Sequence, residues 1–339
     1  MEKLNKFSTN KIGICIAGLG FGESVHIPAL KSLGLEPKAL WHPKDERVKE
    51  ACKVHNIQGY TEWHDILNNK EIDAVIIATP PFARFKLAET ALLAGKHLLL
   101  EKPVGMNSKE VEQLQKLSLQ NKLIVAVDFE YRAVPIFITV KRLIEAGAIG
   151  EPWLVKLDWL MSSRADDRRP WDWYSQEDKG GGVLGALGTH AFDILHWMIG
   201  PTTSIQGRLG RSINTRKDAL SGSYKKVTSD DIAIANVDLW DEINKKIVPA
   251  QVALSSVCLD GRGFLLEIYG SQGKLCLESN NQKDYVHGFK LSYSKKNEKV
   301  IPITPDQDIL FKKTWSDGRI APVARVQEWW IESFKTNTP

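Results

Sequence analysis

Two residues of this chain carry side chains suited to proton transfer, and each lies in a distinctive local sequence. Lys102 ends an apolar run in HLLLEKP (97–103), where the following proline fixes the direction of the chain. His190 lies in GALGTHAFD (185–193), which has helical spacing. An amine and an imidazole can each move a proton at a reacting hydroxyl. We predict both residues to be catalytic; the alternatives are a lysine that only reaches solvent and a histidine that only packs against Asp193.

A glycine-rich loop follows the first apolar run. In GICIAGLGFGES (13–24), Gly18, Gly20 and Gly22 surround Phe21 at the junction between a predicted strand and a predicted helix. Glycine permits the tight turn and lets a pyrophosphate approach the backbone at the helix N-terminus. The usual G-x-G-x-x-G spacing would place its last glycine where this chain has Glu23. We predict dinucleotide binding by these four loop residues; the alternative is a plain tight turn.

The end of the second predicted strand bears on the choice of cofactor. An acidic residue there would hold the ribose hydroxyls of NAD, but this chain has His42 and Lys44. Neutral or cationic donors suit a 2′-phosphate, so we predict NADP, with NAD as the other option. Arg47, one turn further on, is a weaker candidate. The alternative is that these residues form only the solvated start of a helix.

Alternating strands and helices predict how these residues are positioned. The first third of the chain predicts a parallel sheet covered by helices on both faces, in which ligands lie beyond the carboxyl ends of the strands. Thr79, Pro80 and Glu101 are therefore predicted to bind the cofactor with Lys102. Arg84, shortly after Pro80, either reaches the cofactor or lies in solvent.

The pattern changes after about residue 150, where strands follow one another without intervening helices. One helix, roughly 182–199, interrupts them. We predict an α/β fold with an N-terminal doubly wound domain (1–132) and a C-terminal α/β domain (133–339) whose open sheet is mainly antiparallel. The polar segment 214–226 is predicted to be a mobile loop.

Composition excludes several classes of protein. The net charge is +4 over 339 residues without a basic stripe, so a nucleic-acid partner is not expected. No apolar run approaches the length of a membrane span, the N-terminus does not resemble a signal peptide, and the four cysteines lie far apart. We expect a cytoplasmic protein without a membrane partner.

Substrate contacts are predicted in three places. Glu130 and Arg132 follow the last strand of the first domain, where they either contact substrate or pair with each other. Trp171 and Trp173 belong to a charged, aromatic segment (162–182) that binds either a sugar-like ligand or another subunit. Three arginines of this segment are candidates to bind an anionic group: Arg164, Arg168 and Arg169.

The helix that carries His190 provides one more candidate. Asp193 lies on the same helical face and is predicted to orient a substrate-binding neighbour. His196 turns away from His190 on the helix, and no further ligand is evident, so we predict no metal site.

Several motifs together resemble the Gfo/Idh/MocA family of nicotinamide-dependent oxidoreductases, over nearly the whole chain. They are the glycine loop, HIPAL (26–30), ATPP (78–81), AGKHLLLEKPVG (94–105), AGAIGE (146–151) and GGGVLGALGTHAFD (180–193). The resemblance implies a Rossmann domain, a C-terminal α/β domain, and oxidation or reduction of hydroxyl or carbonyl groups, mostly on sugars and polyols. It also implies that Lys102 and His190 match the family's catalytic residues, and that the protein is a homodimer or homotetramer.

The chain departs from the family pattern at two positions. Ala186 stands where many members have an aspartate four residues before the histidine, and Arg84 stands where many have histidine. The resemblance further implies a helix that packs back on the Rossmann side, which family members usually carry past the point where this sequence stops, at FKTNTP (334–339). We predict an NAD(P)-dependent dehydrogenase or reductase acting on a sugar or polyol. Alternatives are a biliverdin-reductase-like tetrapyrrole reductase and a non-catalytic dinucleotide-binding regulator.

Overall fold

The computed structural model describes residues 12–281 and 287–336. The chain divides into two compact units. The first contains the described residues up to Glu130 together with those from Arg319 onward, and the second runs from Tyr131 to Gly318. The division at 130/131 lies two residues from the domain boundary predicted from the sequence, 132/133. The described residues from Arg319 onward, however, belong with the first unit. The predicted α/β fold class is confirmed: one sheet is wholly parallel and the other mainly antiparallel.

The first unit is built on a six-stranded parallel sheet in the order β3-β2-β1-β4-β5-β6. Its strands are β1 (Ile14–Ala17), β2 (Ala39–Trp41), β3 (Gln58–Tyr60), β4 (Ala74–Ile77), β5 (His97–Leu100) and β6 (Val125–Val127). The residues of β1 and β4 are all buried, since helices cover both faces of the sheet. Their continuous apolar sequences follow from that burial.

The second unit contains an eight-stranded sheet in the order β16-β15-β14-β13-β7-β12-β11-β8, in which only β12 and β7 pair in parallel. The strands of this sheet are β7 (Pro152–Leu160), β8 (Thr202–Gly210), β11 (Ile232–Asp241), β12 (Lys246–Ser255), β13 (Gly263–Gly270), β14 (Gly273–Ser279), β15 (Lys290–Lys295) and β16 (Ile301–Ile303). A separate two-stranded ribbon consists of β9 (Thr215–Lys217) and β10 (Tyr224–Lys226). Alternate residues of β7, β11 and β12 face a buried apolar core.

Eight α-helices occur in the described part of the chain. They are α1 (Ile27–Ser32), α2 (Asp45–His55), α3 (Trp63–Asn68), α4 (Pro81–Leu93), α5 (Ser108–Asn121), α6 (Pro135–Glu145), α7 (Thr189–Met198) and α8 (Ile320–Thr336). π-Helical turns, Gly22–His26 and Leu184–Gly188, lead into α1 and α7. Helices α6 and α7 belong to the second unit, and the others to the first.

Three sequence predictions need correction. No helix was predicted near the end of the sequence, but α8 packs on α1, so a helix that returns to the Rossmann side lies within this chain. Segment 214–226 was expected to be a mobile loop, but its two ends pair as β9 and β10. The sequence reading also missed β3 and α3, because both are short and carry little apolar periodicity.

No helix among the described residues has both the length and the apolar composition needed to cross a membrane.

Candidate functional site

The glycine loop has the geometry of a pyrophosphate cradle. Gly18 adopts a φ of +101°, and a Cβ there would lie 2.7 Å from the carbonyl oxygen of Ala78. A Cβ on Gly20 would meet no atom within 4 Å, so its backbone is open to a ligand. A Cβ on Gly22 would lie 2.9 Å from Ile16 Cγ2, so this glycine allows close helix–strand packing. Gly22 therefore takes the packing role of the motif's last glycine. It lies one residue before the usual position, at the start of the π-helical turn.

The side chain of Glu23, which replaces the usual last glycine, ties the loop to α2. Its carboxylate lies 3.2 Å from Arg47 Nη2 and 3.3 Å from His55 Nε2, and Arg47 Nη2 also donates to the Leu19 carbonyl at 2.8 Å. His42 follows β2, and its Nδ1 accepts from the Lys44 N–H at 3.1 Å. Burial lowers the pKa of His42, and the nearby positive charges of Arg47 and Lys44 act in the same direction.

Arg84 differs from both sequence alternatives, because it lies neither in solvent nor on an open ligand surface. Its buried guanidinium donates to the carbonyls of Thr79, Glu101 and Pro103. Burial lowers its pKa to about 10, although the charge of Glu101 opposes that change. Arg84 thus clamps the backbone just after β4 to the Lys102–Pro103 peptide, which is cis. Pro80 caps α4 beside this clamp.

Glu101 belongs to a buried hydrogen-bond chain. The Gln327 amide on α8 donates to His26 Nδ1 at 3.0 Å and to the His26 carbonyl at 3.2 Å. This arrangement places the ring proton on Nε2, which donates to Glu101 Oε1 at 3.0 Å. The other carboxylate oxygen lies 3.3 Å from the Lys102 N–H. These hydrogen bonds therefore connect α8 to Glu101, the residue before Lys102.

The charges around the half-buried Lys102 are strongly coupled. Burial alone would raise the pKa of Glu101, but the hydrogen bond from His26 and the charges of Lys102 and Arg84 hold it at about 2. Burial raises the pKa of Glu130 to about 7, although the charge of Lys102 opposes this. Burial also raises the pKa of Asp128, with help from the charges of Glu101 and Glu130. Three carboxyl groups with different affinities for protons thus interact electrostatically with one amine.

His190, in the second unit, stands among aromatic rings. It is 3% exposed, and its ring centroid lies 5.0 Å from that of Tyr131 and 6.2 Å from that of Trp159. Asp193, the packing partner predicted as the alternative for His190, accepts hydrogen bonds from Arg132 Nε at 2.9 Å and 3.1 Å and from Arg132 Nη2 at 2.7 Å. The Arg132 guanidinium also lies 5.6 Å from the Trp197 ring. Arg132 therefore pairs with Asp193 and not with Glu130.

A cavity of about 260 Å³ lies within the second unit. Tyr131 and Trp159, the rings beside His190, line it, as does Ala186. Four residues of segment 162–182 also line the cavity: Ser163, Arg164, Arg169 and Tyr174. Neither predicted tryptophan of that segment is part of the lining. Trp171 Nε1 donates to the Lys226 carbonyl at 3.0 Å, and the Trp173 ring packs 5.8 Å from that of Tyr174.

One histidine–carboxylate group among the described residues has ligand atoms close enough together to hold a metal ion, namely His26, Glu101 and Asp128. The hydrogen bond from His26 to Glu101 already accounts for two of its three members. His26 lies within HIPAL, but no chemical role was predicted for it. No role was predicted for Asp128 or Gln327 either, since the sequence around them gives no signal of a hydrogen-bond chain. A polar residue within the apolar stripe of α8 was the available signal for Gln327.

Comparisons with known proteins agree with this geometry. Residues 12–129 match the model described as "Oxidoreductase family, NAD-binding Rossmann fold", and residues 137–276 match the "GFO/IDH/MocA C-terminal domain". An uncharacterized oxidoreductase from Synechocystis sp. (strain ATCC 27184 / PCC 6803 / Kazusa) is 40% identical over 332 residues, covering 96% of this chain and 88% of that protein. Levoglucosan dehydrogenase from Pseudarthrobacter phenanthrenivorans is 28% identical over 248 residues, covering 70% of this chain but only 64% of that enzyme.

Solved structures share the fold. The apo form of levoglucosan dehydrogenase aligns with a TM-score of 0.83 at 20% identity, covering 97% of this chain and 91% of that one. An oxidoreductase domain protein from Kribbella flavida also gives a TM-score of 0.83, at 21% identity, and covers 97% and 91% of the two chains. A complex of levoglucosan dehydrogenase with NADH aligns with a TM-score of 0.81 at 19% identity, covering 96% and 90%.

Proposed function

The chain belongs to the Gfo/Idh/MocA family of oxidoreductases, as its motifs predicted, and from this premise we propose that it is a dehydrogenase or reductase of a sugar or polyol. The single observation that carries the proposal is the glycine cradle of an NAD-binding domain in the same unit as Lys102, which ends a strand of its parallel sheet. The named activities of two relatives, levoglucosan dehydrogenase and a dTDP-sugar 3-reductase, support a sugar substrate.

The residues present fit a nicotinamide dinucleotide, because the open backbone at Gly20 leaves room for a pyrophosphate at the helix N-terminus. When bound, the cofactor supplies the hydride chemistry. Gly18, Gly20, Phe21 and Gly22 form the cradle, and Thr79, Pro80 and Glu101 continue the site along the strand ends. Arg84 does not bind the cofactor in this proposal; it holds the backbone of those strand ends.

Lys102 and His190 are the proposed catalytic residues. Lys102 gives or takes the proton of the reacting hydroxyl, and the imidazole of His190 is suited to acid–base chemistry. Glu130 has a raised pKa and lies within the electrostatic reach of Lys102, so it is suited to exchange a proton with the amine. Arg132 and Asp193 act as a bound pair that supports the substrate side. None of these proposed steps requires an aspartate at position 186, where this chain has Ala186.

We propose NADP as the preferred cofactor. No carboxylate follows β2 directly, and His42 and Lys44 present neutral or cationic groups there. Arg47 is already bonded to the glycine loop and Glu23, so its role is mainly to hold that loop. The neighbour bound to NADH shows that the fold can accept NADH, so NAD is the other option.

The decisive experiment measures binding and turnover together. The purified protein is titrated with NADPH and with NADH by tryptophan fluorescence, and reduction of NADP⁺ is then followed with a panel of sugars and polyols. Lys102→Ala should keep cofactor affinity within about threefold and lose nearly all turnover, on the order of 10²-fold or more. Lys109→Ala, on the exposed start of α5, is the matched control and should behave like wild type.

The outcomes separate the proposal from its alternatives. Wild-type turnover in Lys102→Ala would reject the catalytic role of the lysine. Cofactor binding without turnover of any sugar, and with turnover of a linear tetrapyrrole, would favour the reductase alternative. Cofactor binding with no turnover at all would favour a dinucleotide-binding regulator. We also propose a cytoplasmic location and a homodimer or homotetramer, the latter tested in the Discussion.

A further inference from the structure

Arginine side chains gather at the cavity of the second unit. Arg164 and Arg169 line it. Burial lowers the pKa of Arg164, the charges of Tyr174 and Asp172 oppose this change, and the positive charges of Arg169 and Arg216 act in the same direction as burial. Mutual repulsion among three guanidinium groups is a cost that an anion in the cavity would relieve.

The third arginine, Arg216, supports the backbone of the segment that carries the two lining arginines. Arg216 is 4% exposed, and its guanidinium donates to the carbonyls of Arg164 and Asp166. The Arg164 N–H in turn donates to the Ser256 carbonyl at 2.8 Å. The Arg164 guanidinium lies 3.8 Å from the centroid of the Tyr174 ring, which fixes its plane against the cavity wall. These contacts hold the Arg164 guanidinium in place despite the free-energy cost of burying its charge.

Carboxylates outside the cavity offset part of the charge of this cluster. Asp172 Oδ2 lies 3.9 Å from Arg164, and its other oxygen accepts from the Tyr174 N–H. Asp230 accepts from the Leu184 N–H at 2.8 Å. Neither aspartate is part of the lining, and no acidic side chain occurs among the described residues that line the cavity.

The rest of the lining is suited to a hydroxylated carbon skeleton. Trp159, Phe264 and Phe289 provide flat apolar walls, and Ser163 and Ser256 provide hydroxyl groups. The cavity volume of about 260 Å³ lies just below the roughly 300–1,000 Å³ of sites for drug-sized ligands. A volume of this size suits a compact ligand such as a single sugar ring.

We propose that the substrate of this enzyme is a monosaccharide-sized polyhydroxy acid, whose carboxylate is bound by Arg164 and Arg169. This inference rests on the proposed oxidoreductase function and specifies its substrate class. A guanidinium fork pairs with a carboxylate through two parallel hydrogen bonds, which would fix the orientation of the carbon skeleton in the cavity. A sugar phosphate shares the anionic chemistry, and the smaller carboxylate suits the volume better.

The test compares each of three sugar acids with its own neutral amide. D-glucuronate, D-galacturonate and D-gluconate are titrated calorimetrically into the protein saturated with cofactor, beside the corresponding primary amides and glucose 6-phosphate. At least one acid should bind about tenfold or more tightly than its amide, as expected for a charge-assisted hydrogen bond. Arg164→Gln and Arg169→Gln should each remove most of that preference.

Arg168→Gln is the matched control. Arg168 lies in the same segment, but its side chain is exposed, pairs with Asp166 and does not line the cavity. It should leave the preference for the acid unchanged. Arg169 is also exposed, so Arg169→Gln keeps the test valid if Arg164→Gln fails to fold.

The outcomes distinguish this inference from the proposed function. Equal affinity for all acids and amides would overturn the inference, and turnover of neutral sugars would still uphold the dehydrogenase. A preference for glucose 6-phosphate over every acid would overturn the carboxylate assignment. An arginine-dependent preference for an acid without any turnover would support the binding inference and reject the proposed function.

Discussion

Buried ionisable groups set the chemistry at the residue scale. Glu101 and Glu130 are both buried, yet their pKa values move in opposite directions, to about 2 and about 7. The difference arises because Glu101 accepts a hydrogen bond from His26, whereas desolvation dominates at Glu130. Two carboxyl groups near Lys102 are thereby divided into a permanent anion and a group that exchanges protons near neutral pH.

The raised pKa of Glu130 predicts how stability depends on pH. Below pH 4.5, its ordinary value, the folded and unfolded chains both hold the proton. Between pH 4.5 and about 7 the folded chain retains a proton that the unfolded chain releases, so this group's contribution to stability is lost as pH rises. Glu130→Gln mimics the protonated form and should gain stability relative to wild type over this window, by up to about 3 kcal/mol.

Urea unfolding of both proteins across pH 4.5–7.5 measures the effect. Glu112→Gln, on the exposed face of α5, controls for the loss of a surface carboxylate. A stability difference between wild type and Glu130→Gln that stays constant with pH would show that Glu130 does not titrate in this range.

At the scale of elements, α8 holds the strand end that carries Lys102. The buried residues of α8 form an apolar stripe, and Gln327 lies in the middle of it with no exposed surface. A buried amide in such a stripe is costly unless it is hydrogen-bonded. Gln327 Nε2 meets this need through the ring and carbonyl of His26, although its Oε1 is buried without a hydrogen-bond partner among the described residues, so the helix is joined to the hydrogen-bond chain that ends at Glu101.

Gln327→Leu tests this connection. The leucine preserves the apolar stripe but leaves two acceptors of His26 without their donor. We expect unfolding free energy to fall by about 1–3 kcal/mol, which is the usual cost of unsatisfied buried polar groups. Ser333→Ala on the same helix removes only a local bond to the Trp329 carbonyl and should change stability by less than about 0.5 kcal/mol. Equal effects of the two substitutions would refute a special role for Gln327.

At the scale of the whole molecule, the eight-stranded sheet leaves one face open. Register places Leu154, Ile234 and Ile247 on the face opposite the core, where they are 37%, 56% and 45% exposed. Exposed apolar side chains on a sheet face are suited to association with another copy of the chain. This face is therefore the proposed surface of the homodimer or homotetramer.

Charge placed on this face should disrupt assembly. The double variant Ile234→Arg/Ile247→Arg is expected to lower the mass measured by light scattering to that of a monomer, since like charges would meet across the interface. Ile243→Arg is the control, because this exposed residue lies in the turn between β11 and β12. A monomeric wild-type protein, or an unchanged mass in the double variant, would reject this surface.

The sequence predicted those features that depend on local pattern. Strands buried on both faces are continuous apolar runs, so the parallel sheet, the glycine turn and the strand end at Lys102 could all be read directly. The helix bearing His190 was equally readable from its spacing. Short elements such as β3 and α3 were missed, because three to six residues carry too little periodicity.

The sequence by itself therefore determined the family, the two kinds of sheet and the elements that carry Lys102 and His190. Only the tertiary structure decided which groups those side chains meet. It paired Arg132 with Asp193, buried Arg84 against backbone carbonyls, joined Gln327 to His26, and placed Arg164 rather than Trp171 at the cavity. The physical reason is that hydrogen bonds and desolvation act between residues that are distant along the chain, and no local pattern records such distances.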